Sequence, residues 1–140
     1  MKNIILLVDD DEDEFDLFME ALRGTNLHCD CIFSKNAEKA LHLLYYTVPD
    51  FIFIDYNMPK INGLKFITEI KKIKNLQDVP IILYSTGMTD NLAKNGMALG
   101  ASLCIKKPYD INTLTKILLH ILTKSWDFNI RFTPRNNPEK

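Results

Sequence analysis

The 140-residue chain predicts an α/β fold: a doubly wound, five-stranded parallel sheet with helices on both faces. Three observations carry that prediction. Five short apolar runs alternate with amphipathic stretches along the whole chain. Most of those runs are apolar on consecutive residues, the pattern of strands covered on both faces. Four of them end in acids, hydroxyls or lysines, where open parallel sheets bind their ligands.

Each element follows in order. Ile4–Val8 reads as the first strand, and Phe15, Phe18 and Leu22 behind it share one helix face. Cys31–Phe33 is the second strand, followed by a helix carrying Ala37, Ala40, Leu41 and Leu44. Phe51–Ile54 is the third, with Phe66, Ile67, Ile70 and Ile73 on its helix. Ile81–Tyr84 is the fourth, and its helix, Thr89–Leu99, has an apolar face interrupted by Asn, Gly and Lys. Leu103–Ile105 is the fifth, and Ile111, Leu114, Leu118 and Ile121 mark the last helix. Right-handed crossovers then join parallel neighbours.

Composition excludes several classes. Hydrophobic residues make up 46% and charged residues 25%, an ordinary globular balance. With 17 basic and 18 acidic residues, no global field favours nucleic acid or an anionic membrane. The apolar start, Ile4–Val8, is too short for a secretory core or a membrane span, so a cytoplasmic protein is expected. Three cysteines, Cys29, Cys31 and Cys104, cannot all pair within the chain, which suits a reducing compartment. Cys29 and Cys31 beside His28 form no complete metal set, and small hydrophobes at a sheet edge is the better identity. His42 and His120 fall on helical stretches and are read as structural or exposed.

The chemistry lies at the strand ends. Six consecutive acids, Asp9 to Glu14, follow the first strand in a chain whose formal net charge is only −1. Like charges at 4 Å repel by roughly 4 kcal/mol at an effective dielectric near 20. Asp11, Glu12, Asp13 and Glu14 are explained as helix-start acids. Asp9 and Asp10 are not, because parallel strands bring Asp55, Ser85 and Lys107 to the same rim. Carboxylate oxygens with room for water suit Mg²⁺, which would also quench the repulsion. A hydroxyl and an ammonium beside that ion could hold phosphoryl oxygens, chemistry that needs positioning and charge neutralisation.

The chain resembles the response regulator receiver domain of two-component signalling. The similarity runs from about Asn3 to Thr123 in four pieces: VDDDEDE at Val8–Glu14, DFIFIDYNMPKINGL at Asp50–Leu64, VPIILYST at Val79–Thr86 and GASLCIKKPY at Gly100–Tyr109. The resemblance implies a flavodoxin-like (βα)5 fold with strand order 2-1-3-4-5. It implies that Asp55 is the phosphoacceptor, taking its group from a histidine kinase or histidine phosphotransfer protein. Asp10 would ligate Mg²⁺ directly, Asp9 mainly through water, and Asn57 through its backbone carbonyl. Ser85 would bond a phosphoryl oxygen and shift inward on phosphorylation. Lys107 would pair with another oxygen, its bond to Pro108 being cis; Lys106 is a solvated neighbour, and Tyr109 packs.

Two modulating positions depart from the family pattern. Cys104 stands where the family places an aromatic on the fifth strand, so no ring can swing there. Thr86 stands where a smaller residue is usual, which predicts hindered water attack and slow dephosphorylation. The expected organisation is a receiver domain over 1–124 and a short tail over 125–140, in which Phe128, Ile130 and Phe132 alternate as a short strand would, with no effector domain. Such a protein is a signalling domain rather than an enzyme, although it assists its own phosphotransfer and dephosphorylation. Its output would be phosphorelay or a changed surface over Thr89–Leu99, Leu103–Ile105 and Ile111–Thr123. A downstream protein of unknown identity would recognise that surface, with no nucleic acid or membrane partner and a monomer or homodimer as the unit. Two alternatives stand beside it: a Mg²⁺-dependent phosphohydrolase with an aspartyl nucleophile, and a phosphorylation-independent scaffold. Asn57 lies where the hydrolase would carry its acid–base carboxylate.

Overall fold

A computed structural model describes residues 2–124. Five parallel strands form one sheet in the order β2-β1-β3-β4-β5, with β1 at Asn3–Val8, β2 at Cys29–Ser34, β3 at Phe51–Ile54, β4 at Ile81–Ser85 and β5 at Leu103–Lys106. Helices α1 (Glu12–Gly24), α2 (Ala37–Leu44), α3 (Gly63–Ile70), α4 (Asp90–Leu99) and α5 (Ile111–Thr123) alternate with them, and a 3-10 turn at Lys74–Leu76 precedes β4. The alternating strand–helix pattern of the sequence is realised throughout. The expected alternation in the 125–140 tail lies outside the described residues.

Period-2 side-chain alternation divides the core into two layers. Leu6, Val8, Ile52, Ile54, Ile81 and Leu83 face α2, α3 and α4, meeting Ala40, Phe66, Ile67, Ile70 and Met97. Ile5, Leu7, Phe53, Ile82 and Tyr84 face α1 and α5, meeting Phe18, Ala21, Leu114, Leu118 and Ile121. Because β1, β3 and β4 are covered on both sides, they carry the continuous apolar runs seen in the sequence.

Every α-helix starts at a side-chain cap: Asp11, Asn36, Asn62, Thr89 and Asp110 each accept a backbone N–H from the first turn. Each helix follows a strand, so these caps crowd the same rim as the strand ends. Register aligns that rim. Val8 pairs with Ile54 and Ile54 with Leu83, so the residues just beyond, Asp9 and Asp55, emerge side by side. Their N–H groups continue the ladder, Asp9 to Ser34 O at 3.0 Å and Asp55 to Val8 O at 3.0 Å.

Gly63 seats the loop after β3. Its N–H donates to Tyr56 O at 2.9 Å, and a Cβ there would lie 2.7 Å from Asp55 O and 2.9 Å from Tyr56 Cα. Only a residue without a side chain lets α3 start this close to the end of β3.

One expectation is corrected. No cis peptide occurs among the described residues, so Lys107–Pro108 is trans. The trans isomer is the intrinsically preferred one, by about 0.5–1 kcal/mol for X–Pro, and Lys107 reaches the rim acids from it.

Candidate functional site

The rim brings together Asp9, Asp10, Asp55, Ser85 and Lys107, residues from the ends of four strands. Lys107 is the hub. Its N–H donates to Ser85 O at 3.1 Å, extending the β4–β5 pairing, and its side chain runs inward until only 6% remains exposed. The ammonium lies 2.7 Å from Asp9 Oδ2, 3.0 Å from Glu14 Oε1 and 3.8 Å from Asp55 Oδ2. It also sits 5.4 Å from the centre of the Tyr84 ring. Lys106, as expected, is exposed.

Burial and charge pull these groups in opposite directions. Burial pushes the Asp9 carboxyl above its ordinary value, opposed by the Lys107 ammonium, and Glu14 nearby adds to the rise. Burial likewise raises Asp55, opposed by Lys107, while neighbouring Asp9 adds repulsion. The Asn57 backbone N–H and the Ser85 hydroxyl favour the charged form of Asp55. For Lys107, burial disfavours the cation, but Asp9, Asp55 and Glu14 outweigh it and hold the ammonium above its ordinary range.

Asp9, Asp10 and Asp55 each offer a carboxylate oxygen within 4.8 Å of the others. Three hard anionic oxygens so close together fit a hard divalent cation, with exposed Asp10 leaving an open side for water. The Ser85 hydroxyl sharpens the picture. Its oxygen is buried, stands close enough to Asp55 to favour that carboxylate's charge, yet has no hydrogen bond of full geometry among the described residues. An unpaired buried hydroxyl costs about 1–3 kcal/mol, so this position is suited to an oxygen arriving from outside.

The remaining sequence candidates occupy the margin. Asn57 is exposed in the loop after β3, Thr86 is exposed beyond Ser85, and Pro108 is half-buried. Cys104 is buried and faces α4, where its thiol donates to Ala93 O at 3.6 Å. Burial pushes that thiol up to about 12, so it is a packing group and not a nucleophile. Tyr109, expected to pack, stands 89% exposed.

Two rim residues escaped the sequence. Glu14 reads as a helix-start acid, but its carboxylate bonds Lys107 instead of the helix. Tyr84 reads as the end of an apolar run, but its ring flanks the ammonium, and burial drives its hydroxyl well above the ordinary phenol range. For Glu14 the only local signal was its excess in an acid run already rich enough to start a helix.

The match to known proteins covers the same elements. Residues 5–119 fit the family model described as the response regulator receiver domain. Regulatory protein AtoC of Escherichia coli is 30% identical over 122 residues, which cover 86% of this chain and 25% of that protein. The chain thus spans about a quarter of that curated relative. The phosphorylated cyanobacterial phytochrome response regulator RcpA superposes with a TM-score of 0.78 at 24% identity, over 86% of this chain and 91% of that one. The Mn(2+)-bound form of response regulator Rcp1 gives a TM-score of 0.74 at 23% identity, over 85% and 91%.

Proposed function

The chain belongs to the response regulator receiver family, and from that premise we propose that it signals by accepting a phosphoryl group on Asp55. The donor is a phosphohistidine on a kinase or phosphotransfer protein. An Asp55 carboxylate oxygen forms the new P–O bond as the donor's P–N bond breaks, and the departing imidazole takes up a proton. Lys107 pairs with one phosphoryl oxygen, and the Ser85 hydroxyl donates to another. Asp9, Asp10, Asp55 and the Asn57 carbonyl hold Mg²⁺, which supplies positive charge against the acceptor and phosphoryl oxygens when bound. The phosphorylated state of RcpA and the metal-bound state of Rcp1 belong to those proteins, and they support the same chemistry here by likeness of fold.

The observation that carries this reading is the buried Ser85 hydroxyl beside the Asp55 carboxylate, with a buried ammonium across from it. The phosphohydrolase alternative lacks its second carboxylate, since the residue two beyond Asp55 is exposed Asn57. We place the protein in the cytoplasm, with output through a protein partner; among the described residues no helix is long and apolar enough to cross a membrane.

Intact-mass measurement with Mg²⁺ and a small phosphodonor tests the proposal. Wild type should gain one phosphoryl group and Asp55→Asn none; modification that survives in Asp55→Asn would refute it. Timing the loss of that group tests the role of Thr86. Thr86→Ala should dephosphorylate several-fold faster, of the order of one tenfold step in rate at most, and equal rates would remove Thr86 from the account.

A further inference from the structure

Asp11 and Glu14 have the spacing of a capping box, in which the fourth residue reaches back to the cap's own N–H. Neither bond of that box forms: the Asp11 carboxylate caps the helix by accepting from Asp13 N at 2.9 Å rather than from Glu14 N. The Asp11 N–H donates to Asp9 Oδ1 at 3.0 Å, and Glu14 turns away to lie 3.0 Å from Lys107 Nζ. Glu14 is therefore diverted from its local partner to a lysine far along the chain.

The diversion matters because Lys107 has three protons to distribute. Asp9 at 2.7 Å and Glu14 at 3.0 Å take two of its directions, while Asp55 at 3.8 Å lies beyond hydrogen-bond reach. The ammonium thus sits nearer the α1 side of the rim than the acceptor. A phosphoryl oxygen on Asp55 that draws the ammonium toward itself must loosen one of the two. The Asp9 side chain is 1% exposed, so freeing it strands a buried charge; that of Glu14 is 23% exposed and regains water on release. Glu14 is the contact that yields.

We propose that Glu14 is a positioning residue that holds Lys107 away from Asp55 in the unphosphorylated protein and competes with the phosphoryl group for it. The proposal rests on the phosphoacceptor reading above. It makes Glu14 a brake on phosphoryl-group affinity, released each time the acceptor is loaded.

Beryllofluoride, a phosphoryl mimic, provides the probe. The full chain is titrated with it at fixed Mg²⁺, binding being followed by fluorine NMR, for wild type, Glu14→Gln and Glu12→Gln. Glu12 is a matched control: it lies in the same acid run, is exposed and pairs with Lys35 at 3.0 Å rather than Lys107. Glu14→Gln should bind about tenfold more tightly than wild type, corresponding to roughly 1.4 kcal/mol, and Glu12→Gln should change affinity less than about twofold. A tenfold gain in Glu14→Gln alone supports the competition. Unchanged or weaker binding overturns it, as do equal gains in both variants, which would assign the effect to net charge. Wild type that binds no beryllofluoride with Mg²⁺ would defeat the phosphoacceptor reading itself, a result distinct from a wild type that binds and a Glu14→Gln that merely matches it.

Discussion

Two regions of the molecule sit a few residues apart and are built on opposite principles. At the rim, Asp9, Asp55 and Glu14 share one ammonium, and a buried hydroxyl stands beside Asp55 with no hydrogen bond of full geometry among the described residues. At the seam between α4 and β5, contact is made by small groups with no room to spare. A Cβ on Gly96 would lie 3.0 Å from Cys104 Sγ and 3.0 Å from Leu83 Cδ2, and the Cys104 thiol is tied to Ala93 O. The rim is close-set in charge and can be re-paired by a new ion or anion; the seam is close-set in volume and cannot be re-paired at all. On the proposed reading, local electrostatic conflict is retained where ligands would be exchanged, and steric fit where α4 packs on β5.

Lys107→Met is the hardest blow to the rim. It strands the buried Asp9 and Asp55 carboxylates and releases the more exposed Glu14, and metal-free protein should lose about 3 kcal/mol in urea unfolding, part of which Mg²⁺ restores. A loss near zero would break the comparison, because the rim would then not depend on its buried cation.

The seam is tested by Gly96→Ala. A gain in helix propensity of about 1 kcal/mol opposes overpacking of about 2 kcal/mol, leaving a net loss of about 1 kcal/mol. Adding Cys104→Ala should recover most of that loss as a coupling energy of about 1 kcal/mol in a double-mutant cycle. Strictly additive effects would mean that volume is not what limits the seam.

The smallest effect contrasts rim carboxylates with an exposed one. Asp110 caps α5, and the Thr113 N–H and hydroxyl hold its pKa below 3.8. A lowered folded pKa contributes stability above 3.8 that is lost as pH falls through the folded value. Asp110→Asn should therefore lower the urea midpoint slightly at neutral pH, the difference fading in acid. Asp55, raised by burial, has the opposite sign: its ionisation weakens the fold as pH rises from 3.8 through the raised value. Metal-free Asp55→Asn should accordingly unfold at higher urea than wild type near neutral pH, and lose that advantage in acid. Parallel profiles for the two variants would contradict the opposite pKa directions of Asp110 and Asp55.

The fold was legible because its signals are local and repeated. Val8, Ile54 and Tyr84 each close an apolar run at or one residue before the end of a strand, and Gly63 marks the point beyond Asp55 that admits no side chain. Glu14 was illegible for the reason that makes it interesting. Asp-x-x-Glu has a complete local explanation, and only the return of Lys107, 98 residues from Asp9 in sequence, supplies a competing partner. Gly96 misled in a similar way: an interruption in an apolar face read as helix weakness, whereas it is the surface on which Cys104 and Leu83 close. The X–Pro isomer at Lys107–Pro108 depends on a preference too slight for a motif to decide.

Leu83 joins the two regions. A methyl on Gly63 would come within 3.1 Å of its Cδ1, and one on Gly96 within 3.0 Å of its Cδ2. One isobutyl fork thus rests one prong beneath the acceptor loop and the other beneath α4, like a wedge driven between two blocks. Trimming it would open both joints at once, so a lesion in this single aliphatic residue would reach the acidic rim and the far helix together.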